Sequence, residues 1–204
     1  MKQKPIVVLF SGGRDSLLTL DEAKKRYTDV ILLLFDYGQK SIKREQESMW
    51  YYAKKYGTDC LTRRVTLNVP PAIQYADDAS SSHVVMRNVI FLSMAINQFY
   101  PVVKDYGLGV TGGDRYNDGM ALFIKDYSII ANLMYQNPKT PNKDELTFFT
   151  PLENIHWKNI NAEIVNKALD ISHIWYCQTD QDKPCGKCEK CLGVHSIGKL
   201  TKKI

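Results

Sequence analysis

The sequence predicts an α/β protein with a doubly wound, Rossmann-like, mostly parallel sheet and a small cysteine-rich unit at its C-terminal end. Short apolar runs alternate with helical stretches through the first two thirds of the chain, and such alternation gives parallel strands joined by right-handed crossovers. Glycine-rich turns follow two of the runs, at 11–13 and 111–114. Four of the five cysteines lie close together, between residues 177 and 191. Ligands in doubly wound folds bind at the carboxyl ends of the strands, so we expect the two turns to share one cleft.

Each element is assigned from its residue pattern. Strands are predicted where short runs are apolar and rich in β-branched residues, at 6–10, 30–35, 61–67 (edge-like) and 106–110. Helices are predicted where apolar residues recur at helical spacing, at 16–27, 41–56, 88–99, 120–135 and 159–170. Prolines, serines and polar residues predict loops at 68–82 and 138–150.

Size and composition limit the class of protein. The 204 residues suffice for one substantial core, and 44% hydrophobic with 24% charged residues is an ordinary globular composition. The longest apolar run, 30–35, is far shorter than the roughly 18–20 residues that span a bilayer. The first residues also lack the long apolar stretch of a secretory signal. We therefore expect a cytoplasmic protein with no membrane association. The net charge of +5 is too mild to indicate a nucleic-acid tail, and it favours a solvated lysine-rich surface.

The turn after the first strand has the composition of an anion-binding loop. Gly12 and Gly13 allow a tight turn and a close approach of the backbone to a phosphate, and the N-terminus of the following helix offers free N–H groups. Ser11 and Ser16 add hydroxyl donors, while Asp15 either holds Mg²⁺ or caps the helix. The simpler alternative is a strand–turn–helix with a serine cap. The string differs from a Walker A loop because the Gly-Lys-Thr ending is missing.

The cysteine spacing, C-x7-C-x2-C-x2-C, is typical of a closed metal site. Four thiolates from Cys177, Cys185, Cys188 and Cys191 satisfy tetrahedral Zn²⁺ and leave no open position, so we expect a structural zinc knuckle. Reduced buried thiols and a redox pair are weaker alternatives. His195 could replace a thiolate, although a surface histidine is the simpler interpretation.

Taken with these motifs, the sequence resembles the 7-cyano-7-deazaguanine synthases, which are PP-loop enzymes of the ATP pyrophosphatase superfamily. The resemblance covers nearly the whole chain. It rests on the blocks Val-Val-Leu-Phe-Ser-Gly-Gly-Arg-Asp-Ser (7–16), Phe-Asp-Tyr-Gly-Gln-Lys (35–40) with Glu45, Arg-Asn-Val-Ile-Phe-Leu-Ser (87–93), Thr-Pro-Leu (150–152) with Lys158, and the cysteine segment 175–191.

The resemblance implies a PP-loop (HUP-type) fold and an ATP-dependent ligase. ATP and Mg²⁺ activate the carboxylate of 7-carboxy-7-deazaguanine, free ammonia supplies nitrogen, and the nitrile 7-cyano-7-deazaguanine results. The chain would divide into an ATP-binding and substrate domain, 1–170, and the knuckle with its tail, 171–204. The implied catalytic residues are Ser11, Asp15, Ser16 and Lys158. The implied ATP-binding residues are Ser11, Gly12, Gly13, Arg14, Asp15, Ser16, Gln39, Arg87 and Asn88. The implied substrate residues are Arg87, Asp114, Tyr116, Asp118 and Phe123.

The segment 114–123 departs from the family pattern. Two residues are missing between Asp114 and Tyr116, and Met120 stands where the family has arginine. A second hypothesis is therefore a related ligase that transfers a deazaguanine or another carboxylate to a protein amine or a nucleic-acid base. A third is a zinc-containing RNA-binding module with an inactive loop, which the intact Ser11, Asp15 and Ser16 argue against. Aromatic residues on the helix at 41–56 favour internal packing or a homodimer contact.

Overall fold

The computed structural model describes residues 4–57, 60–66, 86–113, 121–135, 145–179, 182–188 and 190–192. Within them, five parallel strands form one sheet in the order β3-β2-β1-β4-β5. The strands are β1 (Pro5–Leu9), β2 (Asp29–Asp36), β3 (Cys60–Thr66), β4 (Asp105–Gly107) and β5 (Thr147–Phe149). The predicted doubly wound α/β class is confirmed, and β3 lies at the predicted edge.

Helices connect the strands as the alternating pattern predicts. They are α1 (Arg14–Lys24), α2 (Ile42–Lys55), α3 (Arg87–Phe99), α4 (Ala121–Tyr135) and α5 (Ile160–Asn166), and a 3-10 helix (Trp157–Asn159) leads into α5. Among the described residues, no helix combines the length and apolar character needed to cross a membrane.

Alternate side chains of the central strands are buried on opposite faces of the sheet. Ile6 and Val8 of β1 pack with Leu17 of α1 and Met49 of α2 in one cluster. Val7 packs instead with side chains of α3 and α4, in a second cluster. Successive side chains on a strand point to opposite faces, so helices cover both sides of the sheet. This double cover explains why the strands are continuous apolar runs rather than alternating ones.

Several predicted boundaries are wrong. The helix α1 ends at Lys24 rather than at residue 27, and β4 ends at Gly107 rather than at residue 110. The predicted loop 138–150 contains β5, a three-residue edge strand whose pattern is too short to recognise. The helix α1 begins at Arg14, two residues earlier than predicted. The helix α5 ends at Asn166 rather than at residue 170, because Ala168 has a positive φ of 49° that breaks the helix. The predicted loop 68–82 lies outside the described residues.

Candidate functional site

The two glycine-rich turns lie at the same edge of the sheet. The strands β1 and β4 are adjacent and parallel, with Val8 paired to Gly107, so both turns leave the carboxyl ends of neighbouring strands. The chain after β4 also touches the first turn of α1. A Cβ on Gly109 would lie 2.9 Å from the carbonyl carbon of Asp15. The two turns therefore lie at one edge of the sheet, while a shared binding cleft stays a prediction, and Gly109 is a close-contact residue that the sequence pattern does not reveal.

The predicted phosphate loop, residues 11–16, which is called the phosphate loop below, requires glycine at position 12. Gly12 has a φ of +77°, and a Cβ there would lie 3.0 Å from the Cβ of Ser48. Gly13 is the N-cap residue of α1 and no side chain caps the helix. The alternative of a serine-capped turn is therefore wrong, and Asp15 is in the first helical turn rather than at the cap. An uncapped helix start leaves N–H groups available to an anion.

The polar side chains of the loop have different surroundings. Ser11 is exposed, whereas Ser16 is buried. The Ser16 hydroxyl donates to the Gly13 carbonyl at 2.9 Å. The Arg14 guanidinium donates to Asn161 of α5. In this structure Ser16 and Arg14 thus hold the loop and α1 in place, while Ser11 faces solvent.

Gln39 organises the turn at the carboxyl end of β2. Its side-chain oxygen accepts from the Tyr37 N–H at 2.9 Å. Its side-chain amide donates to the Phe35 carbonyl at 2.8 Å and to the Glu45 carboxylate at 2.9 Å. The amide is buried and well satisfied. Gln39 therefore fixes the shape of this turn at the edge of the sheet, and direct contact with a nucleotide remains a prediction.

Glu45 is hydrogen-bonded to this turn, and the positive charge at the start of α3 acts on its carboxylate. Its carboxylate also accepts from the Ser41 hydroxyl at 2.7 Å. Burial raises the pKa of the Glu45 carboxyl above its ordinary range, while the hydrogen bonds from Ser41 and Gln39 and the positive charge of Arg87 oppose the rise. Arg87 is the first residue of α3, with Asn88 next. Gln39 and Arg87, both predicted from the resemblance, thus lie around one carboxylate.

Lys158 lies beside the second glycine turn. The Gly112 carbonyl accepts from the Trp157 N–H at 3.1 Å, which brings the 3-10 helix to the end of β4. The Lys158 ammonium lies 5.5 Å from the centre of the Trp157 ring, and its backbone N–H donates to the His156 ring at 3.2 Å. Lys158 is exposed at the same edge of the sheet as the phosphate loop. Its predicted catalytic role stays a prediction.

Only part of the predicted substrate segment can be placed. Asp114, Tyr116 and Asp118 lie outside the described residues. Phe123 is in α4, half-buried, with its ring centre 6.2 Å from that of Tyr127. Phe123 also packs against the core cluster that includes Val7 of β1 and Tyr106 of β4.

The four predicted zinc ligands converge. The sulfur atoms of Cys177, Cys185, Cys188 and Cys191 all lie within 4.8 Å of one another, and those of Cys185 and Cys191 are 3.8 Å apart. A tetrahedral ion with bonds of about 2.3 Å to sulfur needs a sulfur–sulfur distance of about 3.8 Å. A four-iron cluster, in which each iron takes one cysteine, would hold the sulfur atoms farther apart. The donor set therefore fits a single metal ion.

Backbone N–H groups donate hydrogen bonds to cysteine sulfur atoms, which stabilises the negatively charged thiolate form. The N–H of Cys185 donates to Cys177 Sγ at 3.3 Å, and that of Cys191 donates to Cys188 Sγ at 3.4 Å. The N–H groups of Lys187 and Cys188 lower the pKa of the Cys185 thiol to about 6. Burial instead raises the pKa of the Cys191 thiol, so the case for metal binding at this knuckle (residues 177–191) is the geometry of its four sulfur atoms, which bind metal as thiolates.

Solved structures share this fold. The chain aligns with the U34-tRNA thiolase NcsA of Methanococcus maripaludis at a TM-score of 0.52 and 15% identity, covering 100% of this chain and 68% of that one. A 4-thiouridine synthetase–RNA complex with bound ATP aligns at a TM-score of 0.53 and 12% identity, covering 98% of this chain and 51% of that one. At these identities the likeness establishes the fold alone.

Sequence comparison identifies the family. A 7-cyano-7-deazaguanine synthase of Prochlorococcus marinus (strain MIT 9312) is 30% identical over 209 residues, covering 94% of this chain and 92% of the relative. A relative of the same name from Colwellia psychrerythraea is 28% identical, covering 91% of this chain and 89% of the relative. The family model described as Queuosine biosynthesis protein QueC matches residues 5–195. The chain, with its parallel sheet, glycine loop and four-cysteine knuckle, therefore belongs to the QueC family.

Proposed function

We propose that this protein is an ATP-dependent carbon–nitrogen ligase that converts 7-carboxy-7-deazaguanine and ammonia into 7-cyano-7-deazaguanine. One observation carries the proposal. Residues 11–16 form a turn that requires glycine at position 12, and α1 begins there without a side-chain cap, at the carboxyl end of the central strand β1. Family membership and the names of the relatives support the choice of substrate. We place the reaction in the cytoplasm, where the four free thiols stay reduced.

The proposed reaction uses two activations. The substrate carboxylate attacks the α-phosphorus of ATP, pyrophosphate leaves, and an acyl adenylate forms. Ammonia attacks its carbonyl carbon, and AMP leaves to give the amide. The amide oxygen then attacks a second ATP with loss of pyrophosphate, and departure of AMP with the remaining amide protons gives the nitrile. The protein must hold the reactants together and neutralise phosphate charge.

The residues of the cleft have proposed roles in these steps. The N–H groups from Gly13 to Ser16, with the Ser11 hydroxyl, bind the pyrophosphate part of ATP. Asp15 would hold a Mg²⁺ ion, which would supply charge neutralisation at the phosphates. Lys158, at the same edge of the sheet, stabilises developing negative charge. Arg87 and Asn88, at the start of α3, contact the phosphates or the substrate.

The remaining assignments complete the proposal. The residues proposed to recognise the deazaguanine are Asp114, Tyr116, Asp118 and Phe123, and residues 1–170 are the proposed ATP-binding and substrate domain. Residues 171–204 carry the knuckle, in which we propose Zn²⁺ because four thiolates fill its tetrahedral coordination.

A direct assay tests the function. Purified protein is mixed with ATP, Mg²⁺, ammonium and 7-carboxy-7-deazaguanine, and pyrophosphate release and product mass are followed. We expect two pyrophosphates for each nitrile formed. Substrate-independent pyrophosphate release, or none at all, would contradict adenylation of this carboxylate. Pyrophosphate release without a nitrile would show that the activated carboxylate goes to a different acceptor.

A further inference from the structure

The chain between α5 and the knuckle runs along α2. This strap, residues 170–177, begins at Asp170, whose carboxylate accepts from the Tyr51 hydroxyl at 2.8 Å and from the Lys55 ammonium at 2.6 Å. The Tyr52 hydroxyl donates to the Asp170 carbonyl at 2.9 Å. The ring of His173 stacks on that of Tyr51, with the ring centres 3.6 Å apart. The aromatic face of α2 therefore holds the strap, in agreement with the packing interpretation of those aromatics.

The strap reaches the phosphate loop at Trp175. The Trp175 N–H donates to the Gly12 carbonyl at 2.8 Å, and the Ser48 hydroxyl of α2 donates to the same carbonyl at 3.1 Å. A Cβ on Gly13 would lie 3.8 Å from the Trp175 carbonyl oxygen. The peptide that must turn to present N–H groups to a phosphate is thus held from two sides, by α2 and by the strap.

Arg44 holds the Trp175 side chain from the outside. Its guanidinium lies 5.7 Å from the centre of the Trp175 ring, and it forms ion pairs with Glu47 at 2.8 Å and with Asp182 of the knuckle. The Trp175 indole N–H is buried and makes no hydrogen bond to any described residue. Packing and the arginine, rather than a hydrogen bond, therefore orient this ring.

We propose that Trp175 is a positioning residue for the phosphate loop, held by Arg44 on one side and, on the other, by the cysteine cluster against which it packs, whose Cys177 is a proposed metal ligand. Trp175 is separated from Cys177 by a single residue, so a metal ion that fixes Cys177 also fixes the peptide that holds Gly12. The knuckle then acts on the cleft without touching a substrate. The inference rests on the proposed function only in naming ATP as the ligand of the loop.

Metal binding and ATP binding should be thermodynamically linked in this protein. If the metal orders the loop, the metal-loaded protein binds ATP more tightly than the metal-free protein. Bound ATP must then tighten metal binding by the same factor, because coupling between two binding sites is reciprocal. No residue of the knuckle needs to contact ATP for this coupling to occur.

The test compares three variants of the metal-loaded protein, each checked for fold by circular dichroism. Arg44→Ala removes the contact with Trp175, Arg44→Lys keeps a cation there, and Lys43→Ala removes an exposed charge from the same turn of α2 as the matched control. The amide exchange rate of Trp175 reports its bond to Gly12, and the Kd for ATP reports the loop. We expect Arg44→Ala to accelerate exchange and to weaken ATP binding roughly three- to tenfold. Arg44→Lys should restore much of both, and Lys43→Ala should match wild type.

Removal of the metal from wild-type protein with a chelator should have the same two effects. Unchanged Trp175 exchange in Arg44→Ala and in metal-free protein would overturn the proposal. Weaker ATP binding with unchanged exchange would also overturn it, because Arg44 would then act on the nucleotide directly. Faster exchange in a protein whose metal-loaded wild type binds no ATP would support the positioning role and contradict the proposed function instead.

Discussion

Asp15 lies in the first turn of α1, at the edge of the sheet where the two glycine turns meet. A carboxylate there repels phosphate unless a cation lies between them. We therefore expect Asp15→Ala to reduce ATP-dependent turnover by about a hundredfold or more while the protein stays folded. Pyrophosphate release and thermal unfolding measure the two effects.

Asp21→Ala is the matched control, because Asp21 is on the same helix and pairs with Lys25 on the surface. That variant should keep its turnover. Wild-type activity in Asp15→Ala would remove Asp15 from the proposed mechanism.

Gly109 is constrained by a neighbour rather than by its own conformation. A methyl group there would meet the Asp15 backbone at 2.9 Å, and backbone cannot move aside as a side chain can. We expect Gly109→Ala to lower the free energy of unfolding by about 1–3 kcal/mol and to displace the start of α1, so that the Kd for ATP rises. Urea unfolding and ATP titration measure these changes.

Gly107→Ala gives the comparison, since a Cβ at 107 would meet side chains of Val8 and Ile6 at 3.2 and 3.4 Å. That variant should cost less stability and leave ATP binding nearly unchanged. Equal effects at both positions would mean that the contact with Asp15 is unimportant.

The importance of some residues can be predicted from the sequence, and that of others cannot. Gly12 was predictable because the glycine pair follows a strand and precedes a helix, a local pattern with a known physical use. Gly109, Ser48 and Trp175 were not, since their importance comes from contacts between segments that are far apart in the chain. No local pattern records such contacts.

At the scale of elements, an ion pair joins α1 to the end of α5. The Lys167 ammonium lies 2.7 Å from the Glu22 carboxylate, and hydrogen bonds from Lys167 and Lys25 lower the pKa of Glu22 to about 2. A carboxyl group whose pKa is lower in the folded state stabilises the fold above its unfolded pKa. This stabilisation should be complete above about pH 4.5 and should disappear as the pH falls towards 2.

Lys167→Ala should therefore lower the free energy of unfolding by about 1 kcal/mol at pH 7, after allowance for solvent screening. The difference from wild type should shrink below pH 4.5. Urea unfolding at a series of pH values measures it, with the exposed Lys54→Ala as control. A difference that is the same at pH 7 and pH 2.5 would show that the lysine acts through packing and not through charge.

Elements were predictable where their pattern is long. The strands β1 and β2 are buried on both faces and give continuous apolar runs, and α2 shows helical spacing that ends at Gly57, where φ is +105°. The strand β5 was missed because three residues at a sheet edge carry no distinctive period. The end of α5 was missed because neighbouring structure imposes the left-handed conformation of Ala168.

At the scale of the whole molecule, the knuckle should bind one metal ion per chain. Because binding to the folded state alone adds stability, Cys188→Ser should lose the metal and lower the unfolding midpoint. Metal analysis and thermal unfolding of the dialysed protein measure both changes. Cys60→Ser, which changes the one cysteine outside the knuckle, should keep one metal ion. Metal-free wild-type protein after gentle purification would contradict the metal site.

The hydrogen bond between the Trp175 N–H and the Gly12 carbonyl also determines when the phosphate loop can finish folding during synthesis. Residue 12 is synthesised long before residue 175, so this loop stays incomplete until all of the chain between them has followed. Pairing of the central strand must also wait for later parts of the chain, because β1 lies between β2 and the much later β4. Such non-local contacts slow folding, and a nascent chain stalled before the strap should contain helices but no finished phosphate loop.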